Sequence, residues 1–212
     1  MNEKTQKLLS VLKMQPVVPV LIVEDAKSAV PLARALVEGG LKAIEITLRT
    51  PAALDAIRAV AQEVEGAVTG AGTILNALHY EDAVEAGAQF IVSPGATGEL
   101  LDVADDHEAS FLPGAATPSE IMGLLEEGYE VMKFFPAEQA GGAAYLKALS
   151  SPFAGTLFCP TGGISLKNAK DYLSLPNVVC IGGSWVAPKD LVAAGDWAGI
   201  TQLAREAFEL RG

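Results

Sequence analysis

Residues 43–70, AIEITLRTPAALDAIRAVAQEVEGAVTG, contain the pattern that decides the fold. The apolar run at 43–47 is followed by helical spacing over 51–64, and a second apolar run follows at 67–70. A short apolar segment, a helix and another short apolar segment in this order are typical of parallel strands joined by a crossover helix. The stretch therefore predicts a strand-helix-strand unit.

The same succession recurs along the rest of the chain. We predict strands near 17–23, 43–47, 67–70, 89–92, 110–112, 130–135, 156–160 and 177–181, with helical patterns between them. Eight such units in 212 residues average about 26 residues each, which favours a (β/α)₈ barrel over an open sheet. We predict an α/β protein in which residues 1–212 form a single (β/α)₈ TIM barrel, with an extra N-terminal helix at about 3–14.

The composition is that of a folded, acidic protein. Half of the residues are apolar and 19% are charged, so the chain can build a core and carries too little charge for disorder. Lys and Arg number 15 against 26 Asp and Glu, and the net charge of -11 repels nucleic-acid phosphates and anionic lipids. We therefore expect no nucleic-acid partner and no membrane partner.

Apolar runs and cysteines indicate the compartment. The best candidate for a membrane span, MQPVVPVLIV at 14–23, is too short and ends at Glu24. The first ten residues lack the pattern of a signal peptide, so we expect a cytoplasmic protein. Cys159 and Cys180 lie in apolar runs and are expected to be reduced, buried thiols.

Polar and apolar residues alternate at the end of the second predicted strand, in EITLRT. Glu45, Thr47 and Arg49 alternate with two aliphatic residues, so the polar set shares one face of the strand. Catalytic groups of such barrels lie at the carboxyl ends of the strands, and with helices outside, this face looks into the barrel mouth. Glu45 and Arg49 are therefore candidate site residues, and the alternative is a structural ion pair at a strand end.

The sixth predicted strand holds a lysine among apolar residues. Lys133 lies within YEVMKFFP, a context from which lysine is normally excluded, and shares a strand face with Val131 and Phe135. If that face is the barrel interior, the amine meets the face that carries Glu45 and Arg49. A desolvated lysine beside another cation is a usable nucleophile. The alternative is a lysine whose long side chain carries its charge to water at the rim.

Two glycine-rich segments follow predicted strands near the end of the chain. The segment 161–165, TGGIS, follows strand seven, and the segment 182–184, GGS, follows strand eight. Loops at these two positions form the phosphate site of many (β/α)₈ barrels, and glycine lets backbone N–H groups approach an anion. The two segments together predict a phosphate site, whereas one glycine pair alone is more often a turn.

Motifs for metals and nucleotide cofactors are missing from the sequence. His79 and His107 both lie in helical patterns, and there is no HxH, HExxH or Cys-x-x-Cys spacing. The glycine-rich motifs of dinucleotide and ATP sites are missing as well. We therefore expect neither a metal nor a cofactor.

Seven motifs occur in one order along almost the whole chain: EITLRT, GAGT, SPG, PGAATPSE, KFFPAE, FCPTGGIS and IGGSW. In these motifs the chain closely resembles the bacterial 2-dehydro-3-deoxy-6-phosphogluconate (KDPG) aldolases, which often also act on 4-hydroxy-2-oxoglutarate (KHG). The resemblance implies a class I aldolase, a lyase in which Lys133 is the Schiff-base lysine and Glu45 the acid/base. It also implies a homotrimer and a small 2-keto acid phosphate as the substrate.

The resemblance implies roles for further residues of these motifs. It assigns Arg49 and Thr73 to binding the pyruvyl carboxylate, and it puts Thr161 beside the bound substrate. It assigns Gly162, Gly163 and Ser184 to binding the phosphate. Pro94 and Phe135 are implied to line the pocket. Strand one, VVPVLIV, departs from some relatives, because it carries no arginine near its end. No lysine or arginine lies inside the two glycine-rich segments either, so backbone N–H groups must dominate phosphate binding.

Two other functions fit the residues taken without the resemblance. One is a phosphosugar isomerase or epimerase, with Glu45 as the base and Lys133 as an electrostatic partner. The other is a phosphosugar-binding barrel that has no turnover. Fold alone does not separate these functions, but a pyruvate-dependent adduct on the lysine does.

Overall fold

Short strands alternate with helices in the computed structural model, which describes residues 3–211. The strands are β1 (Val17–Leu21), β2 (Ala43–Thr47), β3 (Val68–Gly72), β4 (Phe90–Val92), β5 (Ser110–Leu112), β6 (Gly114–Ala115), β7 (Val131–Phe134), β8 (Leu157–Pro160) and β9 (Ile181–Gly183). The helices are α1 (Glu3–Leu12), α2 (Ala26–Glu38), α3 (Ala53–Glu63), α4 (Ala77–Glu85), α5 (Gly98–Asp106), α6 (Pro118–Glu126), α7 (Gly142–Leu149), α8 (Ala169–Leu173), α9 (Lys189–Ala194) and α10 (Trp197–Phe208), followed by a 3₁₀ turn (Glu209–Arg211).

The described strands pair in parallel and form two sheets. The larger sheet has the order β5-β4-β3-β2-β1-β9, and the smaller has the order β6-β7-β8. Single bridges from Phe158 to Val178 and from Thr161 to Gly182 link β8 to the segment that contains β9. The predicted α/β class with parallel strands is confirmed, and helices connect most of the successive strands, as parallel pairing requires.

The fifth strand has the predicted bounds 110–112, and a further short strand follows it after Pro113. Residues Ser110–Leu112 pair with β4, whereas Gly114–Ala115 pair with β7 on the other sheet. Proline has no N–H to donate to a continuous ladder, and the carbonyl oxygen of Pro113 accepts from the N–H of Lys133 at 2.8 Å. The chain therefore changes its pairing partner at this residue.

The eighth strand lies further along the chain than the predicted 177–181. Residues Ile181–Gly183 pair with Val17–Pro19 of β1, while Val178 makes a single bridge. The prediction that Gly182 and Gly183 form a loop after this strand was therefore wrong. Packing explains these glycines, because a Cβ on Gly183 would lie 1.9 Å from the ring of Trp185.

Both faces of the strands are buried. Val17 belongs to the apolar cluster between strands and helices, while Val18 packs with Leu8 and Leu12 of α1 and with Phe90 of β4. Successive strand residues point to opposite faces, so β1 needs apolar residues at consecutive positions. This requirement explains the uninterrupted run VVPVL.

Helix α1 is anchored at the amino ends of the strands. Lys4 Nζ donates to the carbonyl oxygens of Ala104 and Asp105, at 2.7 and 2.9 Å, where α5 ends. A cation there also interacts favourably with the helix dipole. The carboxyl ends of the strands are not covered by this helix and are available for a functional site.

Of the helices within residues 3–211, none combines the length and apolar composition that crossing a bilayer requires.

Candidate active site

A lysine and a glutamate form a buried ion pair between the two sheets. Lys133 Nζ of β7 lies 3.4 Å from Glu45 Oε1 of β2, and each side chain is only 4% exposed. Removing one partner of such a pair leaves an uncompensated buried charge, which costs about 3–5 kcal/mol. Taking two charges out of water is also unfavourable in itself, so packing alone does not account for the pair.

The neighbours of Lys133 are small or aromatic. In the parallel register Lys133 lies opposite Gly114 on one side and Cys159 on the other. A Cβ on Gly114 would lie 2.3 Å from the carbonyl group of Pro94, so Pro94 packs closely beside β6. The ring centroid of Phe135 lies 5.3 Å from Lys133 Nζ, within the range of a cation-π interaction.

Glycine at position 72 is required by the position of the Glu45 carboxylate. A Cβ on Gly72 would lie 2.0 Å from Glu45 Oε1 and 2.6 Å from its Cδ. The end of β3 therefore fixes the acid from one side. No signal in the sequence motif GAGT distinguishes a glycine that packs against a carboxylate.

Arg49 and Thr73 meet directly beside Glu45. Arg49 Nε donates to Thr73 Oγ1 at 2.9 Å. Thr73 has a φ of +61° and is the one non-glycine residue with positive φ within the described range. A β-branched residue in this region carries strain of about 1–3 kcal/mol, and such strain clusters at functional sites. Thr47, by contrast, donates to the carbonyl oxygen of Leu21 and holds β1 against β2.

The segment 161–163 after β8 presents backbone groups in a fixed orientation. The carbonyl oxygens of its three residues accept hydrogen bonds from Ala137 N, Glu138 N and Asn168 Nδ2, at 2.9, 3.1 and 3.2 Å. Gly162 and Gly163 have φ of +105° and +75°, which favour glycine. These three hydrogen bonds hold the backbone of the segment in one orientation.

The ring of Phe135 lies close to both Lys133 and this segment. Phe135 Cδ2 lies 3.4 Å from the position that a Cβ on Gly162 would take. Thr161 Oγ1 is buried and has no hydrogen-bond partner in residues 3–211. A Cβ on Gly182 would lie 2.3 Å from that oxygen, so β9 leaves room for it only because position 182 is glycine.

Two predicted site residues line separate surface cavities. Ser184 is exposed and lines a cavity of about 670 Å³, where Lys189 Nζ lies 4.0 Å from Glu24 Oε1. Pro94 lines a cavity of about 590 Å³ beside α5 and α6. The structure thus brings Lys133, Glu45 and Phe135 together and joins Arg49 to Thr73, but it places Ser184 and Pro94 in cavities whose lining includes neither Lys133 nor Glu45.

Acidic, histidine and cysteine side chains do not gather into a metal cluster. Within the part of the chain that the structure describes, no three such residues lie close enough together to hold a metal ion. Cys159 and Cys180 are both buried and unbridged, with their sulfur atoms 3.4 Å apart.

Comparison with known proteins gives a consistent result. Residues 8–203 match the model of the KDPG and KHG aldolase family. The KHG/KDPG aldolase of Escherichia coli K12 is 52% identical over 200 residues, which cover 94% of each chain. The KDPG aldolase of Legionella pneumophila, solved with pyruvate captured as a covalent carbinolamine intermediate, superimposes with a TM-score of 0.92 at 43% identity and covers 94% of this chain and 97% of its own.

A further solved structure extends the match. The KDPG aldolase of Zymomonas mobilis ZM4, with 3-phosphoglycerate, superimposes with a TM-score of 0.91 at 48% identity over 97% of both chains. The comparisons with known proteins show that the protein is an aldolase, which is a lyase. The chain belongs to the KDPG and KHG aldolase family.

Proposed function

We propose that this aldolase cleaves KDPG to pyruvate and glyceraldehyde 3-phosphate through a Schiff base on Lys133, and cleaves KHG to pyruvate and glyoxylate in the same way. The observation that carries the proposal is the buried contact of Lys133 Nζ with Glu45 Oε1 at 3.4 Å. The names of the relatives support both substrates. The carbinolamine held by the Legionella relative supports covalent chemistry.

The reaction begins when the ammonium of Lys133 passes a proton to water or to Glu45, and the amine that results adds to the keto carbon of the substrate. The carbinolamine loses water and becomes a protonated imine, which accepts electrons. Glu45, directly or through a water, takes the proton from the C4 hydroxyl, the C3–C4 bond breaks and the aldehyde leaves. The remaining enamine takes this proton back from Glu45 at C3, and addition of water to the imine then releases pyruvate and the free lysine.

Arg49 and Thr73 are proposed to hold the carboxylate of the pyruvyl group. The guanidinium suits a two-pronged carboxylate contact, and its Nε bond to Thr73 fixes its direction. Phe135 and Pro94 are proposed to line the pocket, and Thr161 Oγ1, which lacks a partner among the described residues, to face the bound substrate.

Replacing the strained Thr73 should change the stability of the protein and its substrate binding in opposite directions. Thr73→Gly is expected to raise the free energy of unfolding by about 1 kcal/mol, because relief of the positive-φ strain exceeds the added flexibility of the unfolded chain. The same change removes the partner of Arg49 and should raise KM for KDPG and KHG alike. Urea unfolding and steady-state kinetics measure the two effects.

Thr73→Ser is the matched control for that substitution. Serine keeps the hydroxyl that accepts from Arg49 Nε, so KM should stay within about twofold of the original. A Thr73→Gly variant that unfolds more easily than the original would show that the backbone at this position carries no net strain.

The phosphate is proposed to bind the amides of Gly162 and Gly163 and the hydroxyl of Ser184. No lysine or arginine occurs in 161–165, and the charge of Lys189 in the cavity of Ser184 is offset by Glu24, whose Oε1 lies 4.0 Å from Lys189 Nζ. Backbone donors are therefore the main source of phosphate affinity.

We further propose that the two sheets close into one (β/α)₈ barrel that forms a single domain, with α1 as the extra helix, and that the protein is a homotrimer. The Lys133–Glu45 contact between the sheets and the bridges from β8 to the β9 segment support closure. The trimer follows from the family resemblance and is tested by the molar mass in light scattering.

The alternatives lose their support in this family. An isomerase or epimerase and a binding barrel without turnover were compatible with Glu45 and Lys133 in a phosphosugar site. Membership of an aldolase family favours cleavage over both.

Trapping with pyruvate tests the proposed function. Incubation with pyruvate and borohydride should add one reduced pyruvyl group, and peptide mass analysis should place it on Lys133, because the imine is the species that borohydride reduces. Omission of pyruvate is the control. Modification spread over surface lysines, or none, would contradict the Schiff-base mechanism.

A further inference from the structure

Glu138 lies directly against the proposed phosphate loop. Its N–H donates to the carbonyl oxygen of Gly162 at 3.1 Å. A Cβ on Gly163 would lie 2.7 Å from Cβ and from Cγ of Glu138. The side chain of this glutamate therefore starts beside the two glycines whose amides would take the anion.

A carboxylate at this position opposes phosphate binding. Like charges repel, and the segment 161–165 contains no lysine or arginine to offset the charge. The location of the carboxylate, close to the loop or turned from it, therefore changes the affinity for a phosphorylated substrate.

Tyr172 determines where that carboxylate lies. The buried Tyr172 hydroxyl of α8 donates to Glu138 Oε1. The same oxygen lies 3.4 Å from the position of a Cβ on Gly142, at the start of α7. Burial, then the hydrogen bond and the charge of Glu138, raise the pKa of Tyr172, so its hydroxyl remains a donor at neutral pH.

We propose that Tyr172 is a positioning residue that sets the affinity for the phosphate end of the substrate, by holding the Glu138 carboxylate towards α7 and away from Gly162 and Gly163. The inference rests on the proposed function, which assigns these glycines to phosphate. Tyr172 acts only through Glu138, so the bond-breaking step and the binding of a substrate without phosphate are independent of it.

The test compares two substrates in one variant. Tyr172→Phe removes the donor and frees the carboxylate, so KM for KDPG should rise about three- to tenfold, the effect of one charged interaction. The kcat for KDPG and the KM for KHG should change less than twofold. Adding Glu138→Gln to Tyr172→Phe removes the charge and should return KM for KDPG to within twofold of the original.

A second variant tests the inference on an exposed side chain. Glu138→Asp keeps the charge but shortens the side chain, so the carboxylate loses the Tyr172 hydroxyl and KM for KDPG should rise as in Tyr172→Phe. Glu63→Gln, at the far end of α3, is the control for a lost surface charge and should change neither KM.

Specific outcomes would overturn the inference. They are an equal rise of KM on both substrates, a rise that Glu138→Gln does not reverse, and an unchanged KM for KDPG in Glu138→Asp. Failure of the proposed function gives a different result, because the unaltered protein would then form no pyruvate adduct on Lys133 and cleave neither substrate.

Discussion

Lys133→Met is expected to lower kcat/KM for KDPG by about 10⁴-fold or more, since no imine forms and the loss of a covalent nucleophile removes the whole route. Methionine has a similar length and suits the apolar surroundings of β7. Pyruvate release, followed in a coupled assay, measures the loss. Borohydride trapping with pyruvate should give no adduct in this variant.

The same substitution also destabilises the protein, because it leaves Glu45 buried and unpaired. The expected loss is about 3–5 kcal/mol in free energy of unfolding. Adding Glu45→Gln removes the unpaired charge and should restore most of the stability but none of the activity. This double variant is the control for misfolding. Activity of Lys133→Met within about tenfold of the original would require another nucleophile.

The chemistry of the site follows from strand alternation in the sequence, whereas its geometry depends on distant segments. Lys133 in an apolar strand and Glu45 on a polar strand face are visible as residue types at period-two spacing. Their separation of 3.4 Å depends on how two sheets approach each other, over 88 residues of sequence separation. No local pattern specifies that distance.

Close packing explains other features that sequence reasoning missed. Gly72 and Gly182 are glycines because Glu45 and Thr161 occupy the space of a Cβ, and such contacts join different strands. The strained φ of Thr73 is likewise imposed from outside its own segment. The change of pairing at Pro113, in contrast, has a local cause that the sequence displays, because proline interrupts a ladder.

The net charge of -11 affects the approach of the substrate more than its binding. A Debye length of about 8 Å at physiological ionic strength screens most surface carboxylates from a bound anion. The proposed roles of Arg49 and of the amides of Gly162 and Gly163 put them at contact distance from the substrate, where they offset the unfavourable field. Glu138 contacts the same loop, so it lies within this screening length.

Glu45→Gln is expected to keep imine formation and lose about 10²- to 10⁴-fold in the cleavage rate, the usual contribution of a general acid/base. Glutamine has the shape of the glutamate, so it fills the same space against Gly72, and the loss of the counter-ion of Lys133 should cost about 3–5 kcal/mol in free energy of unfolding. Single-turnover cleavage of KDPG and borohydride trapping with pyruvate measure the two steps separately. Glu45→Asp is the matched variant, because it retains the carboxylate but withdraws it from Lys133, and it should cleave faster than the glutamine variant. Cleavage by Glu45→Gln at the original rate would make Glu45 only the buried counter-ion of Lys133, and the base would then have to be another group.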